Sequence, residues 1–183
     1  LRNKKYPEYI VEESVSIRAV CRVYAQLSGD TTQLTPKDIF DIAEGKRHGD
    51  AQAAIKSFEE LGEMAGDTIA AAITMIDGLV VIGGGVVGAA KYILPALMKE
   101  LNAQTGMMDG RRFPRLQMKA FNLENPEELV GFLTDTSYSV KVPGTDLQVP
   151  YDPYPRMGVA LSKLGASKAI SLGAYWYALN HLK

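Results

Sequence analysis

The stretch Leu79–Ile82, which three consecutive glycines follow, restricts the fold more than any other part of the sequence. Four apolar residues in a row after the turn signal Asp77-Gly78 are typical of a short strand that is buried on both faces. Such strands form parallel sheets that helices cover. Gly83–Gly85 then lie at the carboxyl end of a strand, where open α/β sheets bind their ligands. The sequence therefore predicts an α/β fold with a ligand close to this turn.

The glycine turn is compatible with more than one kind of site. Gly83, Gly85 and Gly88 match the G-x-G-x-x-G pattern of dinucleotide-binding oxidoreductases, but that fold requires an acidic residue about 20 residues further on, at the end of the next strand. Glu100 and Asp109 have the right distance but fall in a predicted helix and a predicted loop. In the second interpretation a nucleotide contacts the bare backbone, because residues without a Cβ permit close approach and their amides can donate hydrogen bonds. A tight turn without a ligand is the remaining alternative.

Periodicity and capping residues place the other elements around this strand. Helices are expected at 13–27, 36–45, 50–76, 89–101, after Asn125 and at 166–182. Strands are expected at 117–123 and 157–161, with a hairpin at 138–151 and a loop at 103–116. Ser14 or Ser16 is expected to cap the first helix, and Thr35 the second.

Composition excludes several classes of function. The 183 residues include 20 basic and 21 acidic ones, so there is no basic surplus for nucleic acid or for an anionic membrane surface. No apolar run approaches the roughly 20 residues that a membrane span requires, and the composition fits a cytoplasmic protein. Cys21 is the only cysteine, which excludes an internal disulfide and a multi-cysteine metal site. We expect it to be a small buried residue rather than a nucleophile. His48 and His181 show no ligand spacing.

The order of motifs resembles the C-terminal part of ROK-family proteins, which are sugar kinases and sugar-responsive repressors of the actin-like ATPase superfamily. The resemblance rests on Glu12-Glu13-Ser14-Val15-Ser16, the long helix after Asp50, Val81–Val86 and Ser171-Leu172-Gly173-Ala174. It covers Val11 to about Asn102 and the last twenty residues. The stretch 103–165 is interpreted as an insertion or a divergent region.

The resemblance implies a partial ribonuclease-H-like (actin-like) C-terminal domain over residues 1–183, with helices packed on a mixed sheet. It implies that the intact protein uses ATP and Mg²⁺ to phosphorylate a hexose. Gly83, Gly84, Gly85 and Val86 would contact the adenosine side of the nucleotide. Glu12 would accept hydrogen bonds from sugar hydroxyls; its alternative role is a solvated carboxylate at a helix N-terminus.

The sequence also departs from the family pattern. Zinc-containing members carry cysteines just before the sugar-binding glutamate, whereas Asn3–Val11 contains none, so no zinc is expected. The family's phosphate-binding motif and catalytic aspartate would lie upstream of residue 1. We therefore expect the C-terminal part of a longer chain, without catalytic residues of its own. A sugar-responsive repressor remains the alternative to a kinase, and a dinucleotide-binding oxidoreductase is the third possibility. Because family members usually form homodimers, the resemblance also implies a homodimer.

Overall fold

The computed structural model describes residues 3–182, and it confirms the predicted α/β class. The helices are α1 (Ile17–Ser28), α2 (Pro36–Ala43), α3 (Ala51–Ile73), α4 (Ala90–Leu101), α5 (Pro126–Leu133) and α6 (Ala166–His181). The strands are β1 (Val80–Ile82), β2 (Gln104–Gly106), β3 (Arg112–Pro114), β4 (Lys119–Asn122), β5 (Tyr138–Lys141), β6 (Gln148–Tyr151) and β7 (Arg156–Leu161). Short 3-10 segments, Val11–Glu13 and Gly85–Ala89, precede α1 and α4. Within residues 3–182, every helix is too short or too polar to cross a membrane.

Side-chain caps determine where the first three helices begin. Ser16 at α1 and Asp50 at α3 each accept a hydrogen bond from the backbone amide three residues later. Thr35 and Asp38 form a reciprocal capping box at α2. These bonds satisfy amides that have no partner inside the helix. Of the two serines considered for α1, Ser16 is therefore the cap, while Ser14 is buried and bonds elsewhere.

Two glycines allow α3 and α4 to pack with their backbones in contact. A Cβ on Gly62 would overlap the carbonyl oxygen of Ile93, and a Cβ on Gly66 would lie 2.9 Å from that of Leu97. Both are closer than ordinary van der Waals contact. The spacing of four residues puts the two glycines on one face of α3, so this face is shaped for α4.

The central sheet is parallel, with the strand order β1-β7-β4. Val80 pairs with Val159, and Lys119 pairs with Arg156. In place of one mixed sheet, the antiparallel pairs β2–β3 and β5–β6 form separate two-stranded ribbons. The expectation of a loop throughout 103–116 was wrong, because this stretch contains the β2–β3 ribbon. All residues of that ribbon are exposed, so it has no buried apolar face that would produce a periodic signal.

The buried residues form two clusters that meet at α3 and α4. The first cluster joins α1, α2 and the first half of α3 to the start of α4. Its members include Val20, Tyr24, Ile39, Ile42, Phe58 and Ile93. The second cluster lies between the sheet and the C-terminal halves of α3 and α4. It includes Ala70, Ile73, Leu94, Leu97, Met157 and Val159. The helix pair α3–α4 therefore supports the sheet from one face.

Helix α6, like the shorter helix α5, has no buried residue. Its exposed side chains include Ile170, Tyr175 and Trp176, each more than half exposed. A helix that is apolar on all sides is normally buried against a partner. The motif Leu172-Gly173-Ala174 lies inside α6, which begins at Ala166 as predicted.

Candidate functional site

The carboxyl ends of the three parallel strands form one edge of the sheet. Gly83 follows β1, Ser162 follows β7 and Leu123 follows β4. The amide of Ser162 donates to the carbonyl of Ile82 at 2.8 Å, and that of Leu123 donates to Val159 at 2.8 Å. These bonds join the loops after the strands to the sheet, so the glycine turn lies at the edge where open α/β sheets bind ligands.

Gly84 needs to be glycine because of its backbone conformation. Its φ of 94° and ψ of −175° belong to a region that other residues hardly enter. Gly83 and Gly85 do not have a positive φ, and no atom within 4 Å would oppose a Cβ on Gly85. A Cβ on Gly83 would make only an ordinary contact, 3.7 Å from the Cβ of Ser162. The packing of residues 3–182 therefore does not explain why these two positions lack a side chain.

The turn is open on its outer side and anchored on its inner side. Gly83, Gly84 and Gly85 are exposed, and within residues 3–182 the amides of Gly84 and Gly85 donate no backbone hydrogen bond. Val86 is half-buried and packs against the cluster formed by α1, α2 and α3. The Val86 side chain thus holds the turn in place, which leaves its backbone as the part that a ligand can contact.

Glu124 organises the neighbouring loop, and sequence reasoning did not identify it. One carboxylate oxygen accepts from the amide of Leu161 at 2.9 Å, and the other pairs with Lys163. These two partners, Lys163 foremost, lower the pKa of Glu124 below its usual value of 4.5. The Glu124 carboxylate thus holds the C-terminal end of β7 in place beside the glycine turn. Its position directly after the predicted strand 117–123 was the only local signal for it.

Glu12 lies in the 3-10 segment Val11–Glu13, just before α1. Its side chain is 63% exposed, and one carboxylate oxygen lies 3.5 Å from the guanidinium of Arg18. Ser16 caps α1, so Glu12 is not needed as its cap. Within residues 3–182, no hydrogen bond or ion pair connects Glu12 with the glycine turn. The structure therefore places the two predicted parts of the site in separate segments.

The structure gives little support to a metal site or to a reactive cysteine. Residues 3–182 contain no group of three or more His, Cys, Asp or Glu side chains that could hold a metal ion. Cys21 is half-buried, its thiol donates to the carbonyl of Leu34 at 3.3 Å, and burial raises its pKa. Because the thiolate is the reactive form, this environment favours the structural interpretation of Cys21.

A cavity of about 980 Å³ lies at the opposite edge of the sheet from the glycine turn. It is lined by Lys119 and Arg156, the first residues of β4 and β7, and by the apolar side chains of Leu116 and Phe121. The Arg156 guanidinium is already bound by three backbone carbonyls, Thr136 and Asp152. The arrangement of strand ends and open glycines therefore points to the other edge as the ligand site.

The parallel sheet, the helices packed on it and the glycine turn at its carboxyl edge define this chain as an α/β domain. Residues 10–133 match the model of the ROK family, so the chain belongs to that family. The matched range continues past Asn102, the limit of the resemblance noted above.

The chain is also similar to a solved structure, the crystal structure of glucokinase from Parabacteroides distasonis ATCC 8503. The sequence identity is 60% and the TM-score 0.86, over 99% of this chain and 49% of that one. This similarity confirms the predicted actin-like α/β fold. The chain spans about half the length of that glucokinase. A comparison with curated proteins gave no match.

Proposed function

We propose that this protein, in its full-length form, is a glucokinase-like enzyme that transfers the γ-phosphoryl group of ATP to a hexose hydroxyl. The observation that carries the proposal is the 60% identity with a glucokinase over 99% of this chain. Relatives this similar in sequence share their fold closely, and the candidate ligand edge lies within the shared part. The sugar-responsive repressor is the alternative within the same family.

In this proposal Gly83, Gly84, Gly85 and the backbone of Val86 form the adenosine side of the nucleotide site. Open space at Gly85 supports this role, as do the amides of Gly84 and Gly85, which have no hydrogen-bond partner within residues 3–182. A nucleotide can approach such a backbone closely, and the amides can donate to its polar atoms. The structure does not support a dinucleotide-binding oxidoreductase, because Gly88 lies in the 3-10 segment of a ROK-family fold.

Glu12 is proposed to bind the sugar. A carboxylate accepts hydrogen bonds through two oxygens, so it can bind two neighbouring hydroxyls at once. Its contact with Arg18 is long, at 3.5 Å, and the side chain is 63% exposed. The carboxylate is therefore accessible to a ligand.

The reaction follows the general chemistry of phosphoryl transfer. The hexose hydroxyl oxygen forms a bond to the γ-phosphorus, while the bond between that phosphorus and the β–γ bridging oxygen breaks. ADP leaves with the electron pair, and the hydroxyl proton passes to a base, which we expect to be an aspartate outside residues 1–183. The described residues provide no acidic cluster for Mg²⁺, so Mg²⁺ enters the proposal only as the companion of the ATP phosphates.

The full-length protein should bind ATP in preference to NAD and form ADP only when a hexose is present. The measurement is calorimetric titration with each nucleotide, followed by a coupled assay of ADP with a panel of hexoses. Preference for NAD would contradict the nucleotide site. Sugar-dependent binding to operator DNA, without ADP formation, would establish the repressor instead.

Glu12→Gln in the full-length protein should raise the sugar KM without a comparable rise in the ATP KM. The loss of a charged acceptor costs roughly 1.5–3 kcal/mol, or about ten- to a hundredfold in KM. Glu8→Gln is the matched control, because Glu8 is an exposed glutamate four residues before Glu12. If both variants keep the wild-type sugar KM, Glu12 is only a solvated carboxylate.

Assembly as a homodimer is also part of the proposal. β1 is an edge strand, and Val81 on it is 61% exposed. Together with α6, this strand presents apolar surface that residues 3–182 leave uncovered. Such surface favours association.

A further inference from the structure

Asn3 is a buried polar residue whose side chain is fully used in hydrogen bonds. It is 1% exposed. Its Oδ1 accepts from the backbone amides of Lys5 at 3.0 Å and Tyr6 at 2.9 Å. Its Nδ2 donates to the hydroxyl of Ser14 at 2.7 Å and to the carbonyl of Ile10 at 3.4 Å. Buried polar groups keep such partners because an unpaired group is costly.

The two acceptors of Nδ2 lie on either side of Glu12. Ile10 is two residues before it and Ser14 two residues after it, so one amide group holds both ends of the segment that carries the carboxylate. Backbone bonds from Glu13 to Ile10 and from Ser14 to Val11 close the segment itself. Glu12 thus projects into solvent from a backbone that is held from beneath.

We propose that Asn3 is a positioning residue for sugar binding, acting through its bond to Ser14 on the orientation of Glu12. The inference rests on the proposed function of Glu12 and extends it to the residues that determine its position. A carboxylate that binds two hydroxyls must be placed accurately, since hydrogen bonds weaken steeply with distance and angle. An exposed glutamate on an untethered loop would have to lose that freedom when the sugar binds.

The test uses Ser14→Ala and Asn3→Ala in the full-length protein, with Ser57→Ala as the matched control. Ser57 is as deeply buried as Asn3, at 1% exposure, and its hydroxyl bonds to the carbonyl of Ala54 inside α3. It therefore tests the loss of a buried hydroxyl away from Glu12. Glu12→Gln is measured in parallel. For each variant, the sugar KM, the ATP KM and the Tm are determined.

Ser14→Ala and Asn3→Ala should each raise the sugar KM by about tenfold. This effect is smaller than the hundredfold loss that a displacement of about 1 Å can cause. The ATP KM should not change, and Ser57→Ala should lower the Tm without changing either KM. If Asn3→Ala fails to fold, Ser14→Ala alone decides, because it removes one acceptor and leaves the bonds of Asn3 Oδ1 intact.

Two results would overturn the inference. One is an unchanged sugar KM in Ser14→Ala while Glu12→Gln raises it, which removes the positioning role but leaves the role of Glu12. The other is an equal rise in Ser57→Ala, which would mean that general loosening accounts for the effect. If Glu12→Gln itself leaves the sugar KM unchanged, the proposed sugar site fails, and the positioning role fails with it.

Discussion

Gly85 is the position where nucleotide contact can be separated from backbone strain. At Gly84 a substitution changes two things at once, because its φ of 94° and ψ of −175° are essentially restricted to glycine, and leaving that region costs roughly 1–3 kcal/mol. Gly85 has no positive φ and begins the 3-10 segment. Apart from Gly85 and its two chain neighbours, no residue within 3–182 has an atom within 4 Å of a Cβ added there. Gly85→Ala therefore adds one methyl group on the open side of the turn, where the ligand is proposed to bind, without straining the backbone.

The expected result is a loss of ATP affinity without a loss of stability. A methyl group without conflicting neighbours should change the free energy of unfolding by no more than about 0.5 kcal/mol. If the adenosine side of ATP lies against this backbone, the same methyl group enters a filled contact. Overpacking by one such group costs about 1–3 kcal/mol, which corresponds to about five- to 150-fold in Kd.

The assay compares Gly85→Ala, Gly84→Ala and Gly78→Ala in the full-length protein by ATP calorimetry and thermal unfolding. Gly78, before β1, also has open space and no positive φ, so its variant should resemble the wild type in both measurements. Gly84→Ala should lower the Tm as well as the affinity. Wild-type ATP affinity in a Gly85→Ala protein of unchanged Tm would refute the assignment of the nucleotide to this turn.

Three further predictions concern packing, pH and assembly. Gly62→Ala should lower the free energy of unfolding by about 1–3 kcal/mol, because its Cβ would overlap the carbonyl of Ile93. The control Gly173→Ala, in an open part of α6, should be neutral or stabilising. Both variants are measured by urea unfolding. Since the folded pKa of Glu124 is lowered, its stabilisation is complete above the unfolded pKa of about 4.5 and is lost as pH falls through the folded value. The difference in Tm between wild type and Glu124→Gln should accordingly shrink below that pH, and a constant difference would contradict the ion pair with Lys163. The isolated 183-residue chain should form no ADP with a hexose and should appear as a dimer or larger assembly in light scattering, because α6 and β1 expose apolar surface; turnover by a monomer would contradict both the fold assignment and the site.

Much of the fold followed from signals that are local in the chain. The caps at Thr35 and Asp50 act on amides three residues away, so the sequence alone locates the starts of α2 and α3. For α1 the sequence left Ser14 and Ser16 open, and the structure selects Ser16. The apolar run before Gly83 likewise identifies β1 and its glycine turn. The β5–β6 hairpin was found from a turn signal between two short strands. Each of these features depends on neighbours within a few residues, and such neighbours can be read from the sequence.

The arrangement of the site depended on contacts between distant segments. Glu124 reaches the amide of Leu161 across 37 positions, and Asn3 reaches Ser14 across 11. β7 lies between β1 and β4 although it follows both in the chain. Nothing in the periodicity of one segment specifies which distant segment it will meet, because many apolar faces are compatible with a given strand or helix. Only packing selects among them. For this reason the open space at Gly85 and the hydrogen bonds of Asn3 on either side of Glu12 became visible only in the folded chain.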